Sequence, residues 1–199
     1  MSLTYLIHRP APSIEDIGAY LDRLSPDHRW HEVRQLGGAD QSRLYELAAD
    51  GPAIALEHFT PPDRPDLREV IHDGKNTLPA FQTFQKRFTR PPNADRRLFG
   101  YNEGLTRPLL GPGYFVVHPT AGNPEWERRG AIVVDYFLTP DGPVAPGWPR
   151  VVPNSQGLQM LVYQGTRDFM RRVSHHVSIG AAYKGERQMG AFFTLCRQD

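Results

Sequence analysis

Eighteen glycines and 19 prolines, nearly a fifth of the 199 residues, cut this chain into short pieces and limit its fold more than any other feature. Proline fixes φ and removes a backbone donor, while glycine adopts angles that other residues avoid, so both favour turns over long elements. No apolar run is long enough to span a membrane as a helix, and residues 1–9 lack the apolar stretch of a secretory signal. With 39% hydrophobic and 11% aromatic residues the chain can still close a core, which sets global disorder aside. The length fits one globular domain over residues 1–199. Cys196 stands alone, so an internal disulfide framework and a multi-cysteine metal cluster are both excluded. The expectation is a soluble, cytoplasmic protein.

Between the breaks, residue patterns assign elements. Ser13, Glu15 and Asp16 open a helix with Ile14, Ile17, Leu21 and Leu24 on one face, closed by Ser25-Pro26. Thr4 to His8 reads as extended, and residues 43–49 and 53–59 read as a hairpin around Asp50-Gly51-Pro52. Leu78, Phe81, Phe84 and Phe88 recur at helical spacing, which predicts a helix capped by Thr77 and stopped by Pro91-Pro92. Strands follow at 97–101, 114–118 and 131–138. Leu158, Leu161, Val162, Gly165, Phe169 and Val173 fit the stripe of a long helix. A final hairpin, 176–183 and 189–196, turns at Lys184-Gly185-Glu186. The fold class is therefore α+β, a mostly antiparallel, curled sheet of about eight strands packed with about three helices. Such cups hold ligands, and the pattern leaves closure into a barrel open.

Charge is balanced over the whole chain, 23 basic against 22 acidic residues, which argues against a nucleic-acid partner. It is uneven along it. Residues 1–73 carry 7 basic and 13 acidic side chains, whereas residues 74–199 carry 16 and 9. Lys75, Lys86, Arg87, Arg90, Arg96 and Arg97 face only Asp95 within residues 74–98, a local excess that attracts anions.

Three segments carry candidate chemistry. In the 72–77 segment, read as a loop, Lys75 supplies a positive charge. Asn76, Thr77 and the amide groups of the following helix supply donors for an anion, with His72 as acid or base. The segment contains neither a P-loop nor a dinucleotide fingerprint. Near the end of the chain, alternation places His176, Ser178, Gly180 and Ala182 on one strand face, where small side chains leave room for a ligand. His176-Val177-Ser178-Ile179-Gly180 falls one residue short of a nucleophile elbow. In the third segment Arg167 and Arg171 lie one helical turn apart, a spacing that an anion between them would relieve, and Asp168 pairs with Arg172. The proline-rich stretch 139–154 would hold Trp148 as a lid over the cup.

The candidate catalytic residues are thus His72, His176 and Ser178. The candidate ligand-binding residues are Lys75, Asn76, Thr77, Trp148, Arg167 and Arg171. No metal site is expected, and the sequence leaves any cofactor unknown. The leading expectation is a domain that binds an anionic small molecule in a cup of sheet and helices. The alternatives are a small acid–base enzyme using His72 or His176, and an interaction subunit whose acidic and basic parts complement a partner. Neither a nucleic acid nor a membrane is expected as partner, and a homo-oligomer fits the charge pattern.

Overall fold

The computed structural model describes residues 1–92 and 96–199. Four helices come first: α1 (Leu3–His8), α2 (Ile14–Asp22), α3 (Pro26–Arg34) and α4 (Gly38–Leu47). A single turn, α5 (Leu56–Phe59), leads into eight strands. These are β1 (Val70–Asn76), β2 (Thr83–Thr89), β3 (Leu98–Glu103), β4 (Phe115–Pro119), β5 (Ile132–Asp135), β6 (Thr166–Arg172), β7 (Val177–Lys184) and β8 (Arg187–Arg197). Short helices α6 (Arg107–Leu110), α7 (Pro124–Arg129) and α8 (Gln159–Tyr163) occupy the connections after β3, β4 and β5. Each strand pairs antiparallel with the next, and β8 returns to β1, so the sheet is a closed barrel. The antiparallel α+β expectation holds at that level, and the curled sheet is fully closed. Closure leaves no unpaired strand edge.

Alternation along the strands builds two cores. Inward positions Phe88, Leu98, Phe115, Val117, Ile132, Val134, Met170 and Leu195 fill one half of the barrel together with Phe59 of α5. Glycines make room for rings in this interior. A Cβ on Gly100 would overlap the Phe115 ring, and one on Gly180 would overlap the Phe193 ring. The outward residues Val133, Phe169, Val177, Ile179, Ala181 and Cys196 pack under the four N-terminal helices. There α2 approaches closely at Gly18, whose missing Cβ would lie 2.7 Å from the Val173 carbonyl oxygen. Serine caps start three of these helices. The Ser2, Ser13 and Ser25 hydroxyl oxygens accept from the Tyr5, Asp16 and His28 amides.

Several local expectations are corrected. Residues 4–8 belong to α1, because Leu3, Leu6 and Ile7 are buried at helical spacing behind the Ser2 cap. The expected hairpin at 43–59 is α4 and α5, with Gln41, Leu44, Tyr45 and Ala48 buried one turn apart. The phenylalanine-striped helix is strand β2. Phe81 sits in the preceding turn at φ +52°, and Phe84, Lys86 and Phe88 alternate into the barrel. The long helix expected from Leu158 stops at Tyr163, and Gly165 at φ +76° turns the chain into β6. Of the three expected helices only the one behind Ser13 keeps its place and length, the second is a strand and the third is cut to the five residues of α8, while the longer helices lie N-terminally. The final hairpin and its turn lie where alternation placed them.

Candidate functional site: the open end of the barrel

The half of the barrel opposite α5 is not filled. It holds a cavity of about 340 Å³, within the size range of small-molecule pockets. Phe84, Phe193, Tyr136, Tyr163 and Ala182 contribute to its walls, and Lys86, Asn102 and Asp168 lie among its lining residues. Register explains the meeting of these polar groups. Lys86 lies opposite Asn102 across β2 and β3, while Asp168 lies opposite Ala182 across β6 and β7, all on inward positions. Tyr136, just past β5, reaches the same point.

The polar groups satisfy one another. Lys86 Nζ lies 3.0 Å from Asn102 Oδ1 and 3.2 Å from Asp168 Oδ2, and it also donates to the Tyr136 hydroxyl. Asn102 Nδ2 donates to the Gly113 carbonyl at 3.0 Å and to Tyr136 Oη at 3.2 Å. The Tyr136 hydroxyl in turn donates to Asn102 Oδ1 at 3.4 Å. Aromatic rings surround the ammonium. Its Nζ lies 4.9 Å from the centroids of Phe115 and Phe193, 5.0 Å from Tyr136 and 5.8 Å from Phe84.

Burial dominates the acid–base character of the pair. Lys86 and Asp168 are 2% and 5% exposed. Desolvation pulls the Lys86 amine below its usual value and pushes the Asp168 carboxyl above its own, and their mutual attraction offsets part of both shifts. Burial likewise pushes the Tyr163 phenol up to about 12, and this ring stacks on Tyr136 at 5.3 Å. Around the mouth, Leu78, Phe81 and Leu105 are 49%, 64% and 92% exposed, an apolar rim over a polar floor.

The sequence candidates fall in other places. Residues 72–76 are part of β1, and no helix begins after Thr77, so the helical anion cradle expected there is absent. Lys75 faces outward and donates to Gln82 Oε1. Asn76 does line the cavity, with Oδ1 accepting from the Leu78 amide at 3.0 Å, and Thr77 ties β1 to β8 through Phe192.

His72 and Ser178 point inward, but at the end closed by α5. His72 Nε2 bonds the Phe59 carbonyl at 3.0 Å, and burial lowers the His72 imidazole to about 3. Nearby, burial holds His58 well below its ordinary value and lowers His176 to about 4. Among the described residues, His72 Nδ1, His58 Nε2, His176 Nδ1 and Ser178 Oγ have no hydrogen-bond partner. Residues 175–176 precede β7, whose strand runs straight through Ser178, so the elbow geometry is absent.

The arginines and the tryptophan lie on the outside. Asp135 accepts from Arg167 Nε at 2.9 Å, beneath His118. The Arg171 guanidinium donates to the Tyr45 and Arg128 carbonyls. In a strand Asp168 turns inward to Lys86, which replaces the expected pairing with Arg172. Trp148 packs on Tyr101 at 4.9 Å and donates to Glu69 at 2.6 Å, on the outer face of β3 and away from the mouth. Sequence reasoning left out Lys86, Asn102, Tyr136 and Tyr163. The signal for Lys86 was its place between Phe84 and Phe88, a charged residue in an inward apolar row.

The basic run is largely engaged within the molecule. Glu69 pairs with Arg87 at 3.3 Å, Asp66 lies 3.7 Å from Arg90, and Asp141 lies 2.9 Å from Arg97. Asp95 lies outside the described residues. Among the described residues no group of three or more His, Cys, Asp or Glu is arranged to hold a metal, and no helix is long and apolar enough to cross a membrane. Compared with family models, curated proteins and solved structures, the chain matches none of them.

Proposed function

We propose that the protein binds a small amphipathic molecule in the open half of its barrel, with an apolar body against the aromatic walls and one polar group at the Lys86–Asp168 floor. The observation that carries this reading is the cavity of about 340 Å³ with the Lys86–Asn102–Tyr136–Asp168 hydrogen-bonding cluster among its lining residues. The walls contribute burial of apolar surface, roughly 25 cal/mol per Å². The floor contributes orientation, since a polar group there meets donors and acceptors already held in place. The exposed apolar rim suits the approach of such a ligand.

An anion is a poorer fit than a carbonyl or hydroxyl group. Asp168 already neutralises Lys86, and Arg107 at the mouth is engaged by Glu103 at 2.7 Å. An acid–base enzyme built on His72 or His176 has less support, because neither lines the cavity. The charge-complementary subunit also has less support, since acidic and basic segments pair within the chain.

The test is a fluorescence titration with 2-naphthalenemethanol. Ala182→Trp places an indole in the cavity beside Asp168 and leaves all four residues of the polar cluster unchanged in sequence. Saturable binding that weakens about tenfold or more in this variant, about 1.4 kcal/mol, is the expected result. Equal affinity in the two proteins would place the ligand elsewhere.

A further inference from the structure

We infer that Lys86 captures an apolar aldehyde or ketone as a protonated imine, with Asp168 as proton relay and counter-ion. The inference rests on the proposed binding role of the cavity and names the ligand class that its floor would retain. Three observations support it. Lys86 is the only one of the three lysines, with Lys75 and Lys184, that lines this cavity. Asp168 lies 3.2 Å from its Nζ, and the Tyr136 hydroxyl also contacts that nitrogen. Phe84, Phe193, Tyr136 and Tyr163 contribute aromatic walls beside the amine, against which an apolar carbonyl compound can pack.

The chemistry balances with these groups alone. A proton passes from the Lys86 ammonium to Asp168, leaving a neutral amine beside a carboxylic acid. Burial of both groups favours that exchange. The amine nitrogen then bonds the carbonyl carbon, and the π electrons move to oxygen, which takes the proton from Asp168. The new nitrogen cation returns a proton to Asp168, giving a neutral carbinolamine. Asp168 protonates its hydroxyl, the C–O bond breaks, and water leaves. The net change is carbonyl plus ammonium to iminium plus water. The product cation remains 'caged' by the rings that now surround the ammonium, opposite the Asp168 carboxylate.

The experiment treats the full chain with 2-naphthaldehyde and sodium cyanoborohydride near neutral pH, followed by intact-mass and peptide mapping. The reductant converts the imine to a stable secondary amine. The expected result is one adduct, of aldehyde mass less one oxygen, on the peptide containing Lys86. Under the same conditions Lys75, Lys184 and the amino terminus stay free, and Lys86→Arg loses the adduct. Label on those other amines with Lys86 unmodified would overturn the inference, and this map needs only the wild-type protein. Binding of 2-naphthalenemethanol without a Lys86 adduct would overturn the imine while leaving the binding reading intact. Failure of the alcohol to bind would overturn the binding reading and the imine with it.

Discussion

The two ends of this barrel bury polar side chains in opposite ways. At the open end, Lys86, Asn102, Tyr136 and Asp168 satisfy one another around a cavity. At the closed end, His58, His72, His176 and Ser178 each keep a buried polar atom without a hydrogen-bond partner among the described residues. His72 there is wedged between the Phe59 and Phe88 rings, at centroid distances of 5.8 and 4.9 Å. The difference teaches where function is to be sought. A buried ionic pair costs several kcal/mol of desolvation per ion, and the cluster at the open end keeps its groups facing space a ligand can fill. The cavity beside α5 is lined by none of His58, His72, His176 and Ser178, and burial holds His58 and His72 below their ordinary values.

The largest test of this contrast is Lys86→Met. Removing one partner of a buried pair leaves Asp168 without its counter-charge, and about 3–5 kcal/mol of stability is expected to be lost in urea denaturation. Lys86→Met combined with Asp168→Leu removes both charges and should recover most of that loss. A single variant as stable as the wild type would mean that Asp168 is not held as an anion by Lys86.

Acidification probes the other end. The folded-state value of His72 is about 3, far below the ordinary value near 6.5, so the unfolded chain binds the proton first as pH falls. The contribution of His72 is therefore complete above about pH 6.5 and declines toward pH 3, by about 1.4 kcal/mol per pH unit. His72→Phe should flatten the curve of stability against pH by that slope. An unchanged slope would show that His72 is solvated.

Smaller effects sharpen the comparison. Asn102→Ala removes partners from Lys86, Tyr136 and the Gly113 carbonyl, and should cost about 1–3 kcal/mol. Ser178→Ala deletes a buried hydroxyl that has no partner among the described residues, and should be neutral or stabilising by up to about 1 kcal/mol. The two ends would be alike if both substitutions cost the same.

Much of this architecture was legible because it rests on alternation and turns. Val177, Ile179 and Ala181 pack outward on the helices, and Ser178, Gly180 and Ala182 turn inward, as period-two reading of the final hairpin expects. Alternation failed where an inward row was mixed. Phe84 and Phe88 flank Lys86, so a helical period fitted the phenylalanines better than a strand that buries a lysine. Asp168 beside Phe169 and Met170 misled in the same way. A buried ion pair assembled from β2 and β6 is set by barrel closure, and closure is a long-range property that no local spacing encodes. The Lys75 cradle failed because its helix was never formed.

The most direct test follows both ends at once, by amide NMR of ¹⁵N-labelled protein titrated with 2-naphthalenemethanol. The predicted result is saturable shifts at Lys86, Asn102, Asp168 and Ala182, with His72 and Ser178 unmoved. Shifts centred on His72 and Ser178, or none in the barrel, would contradict the assignment of the open end as the binding site.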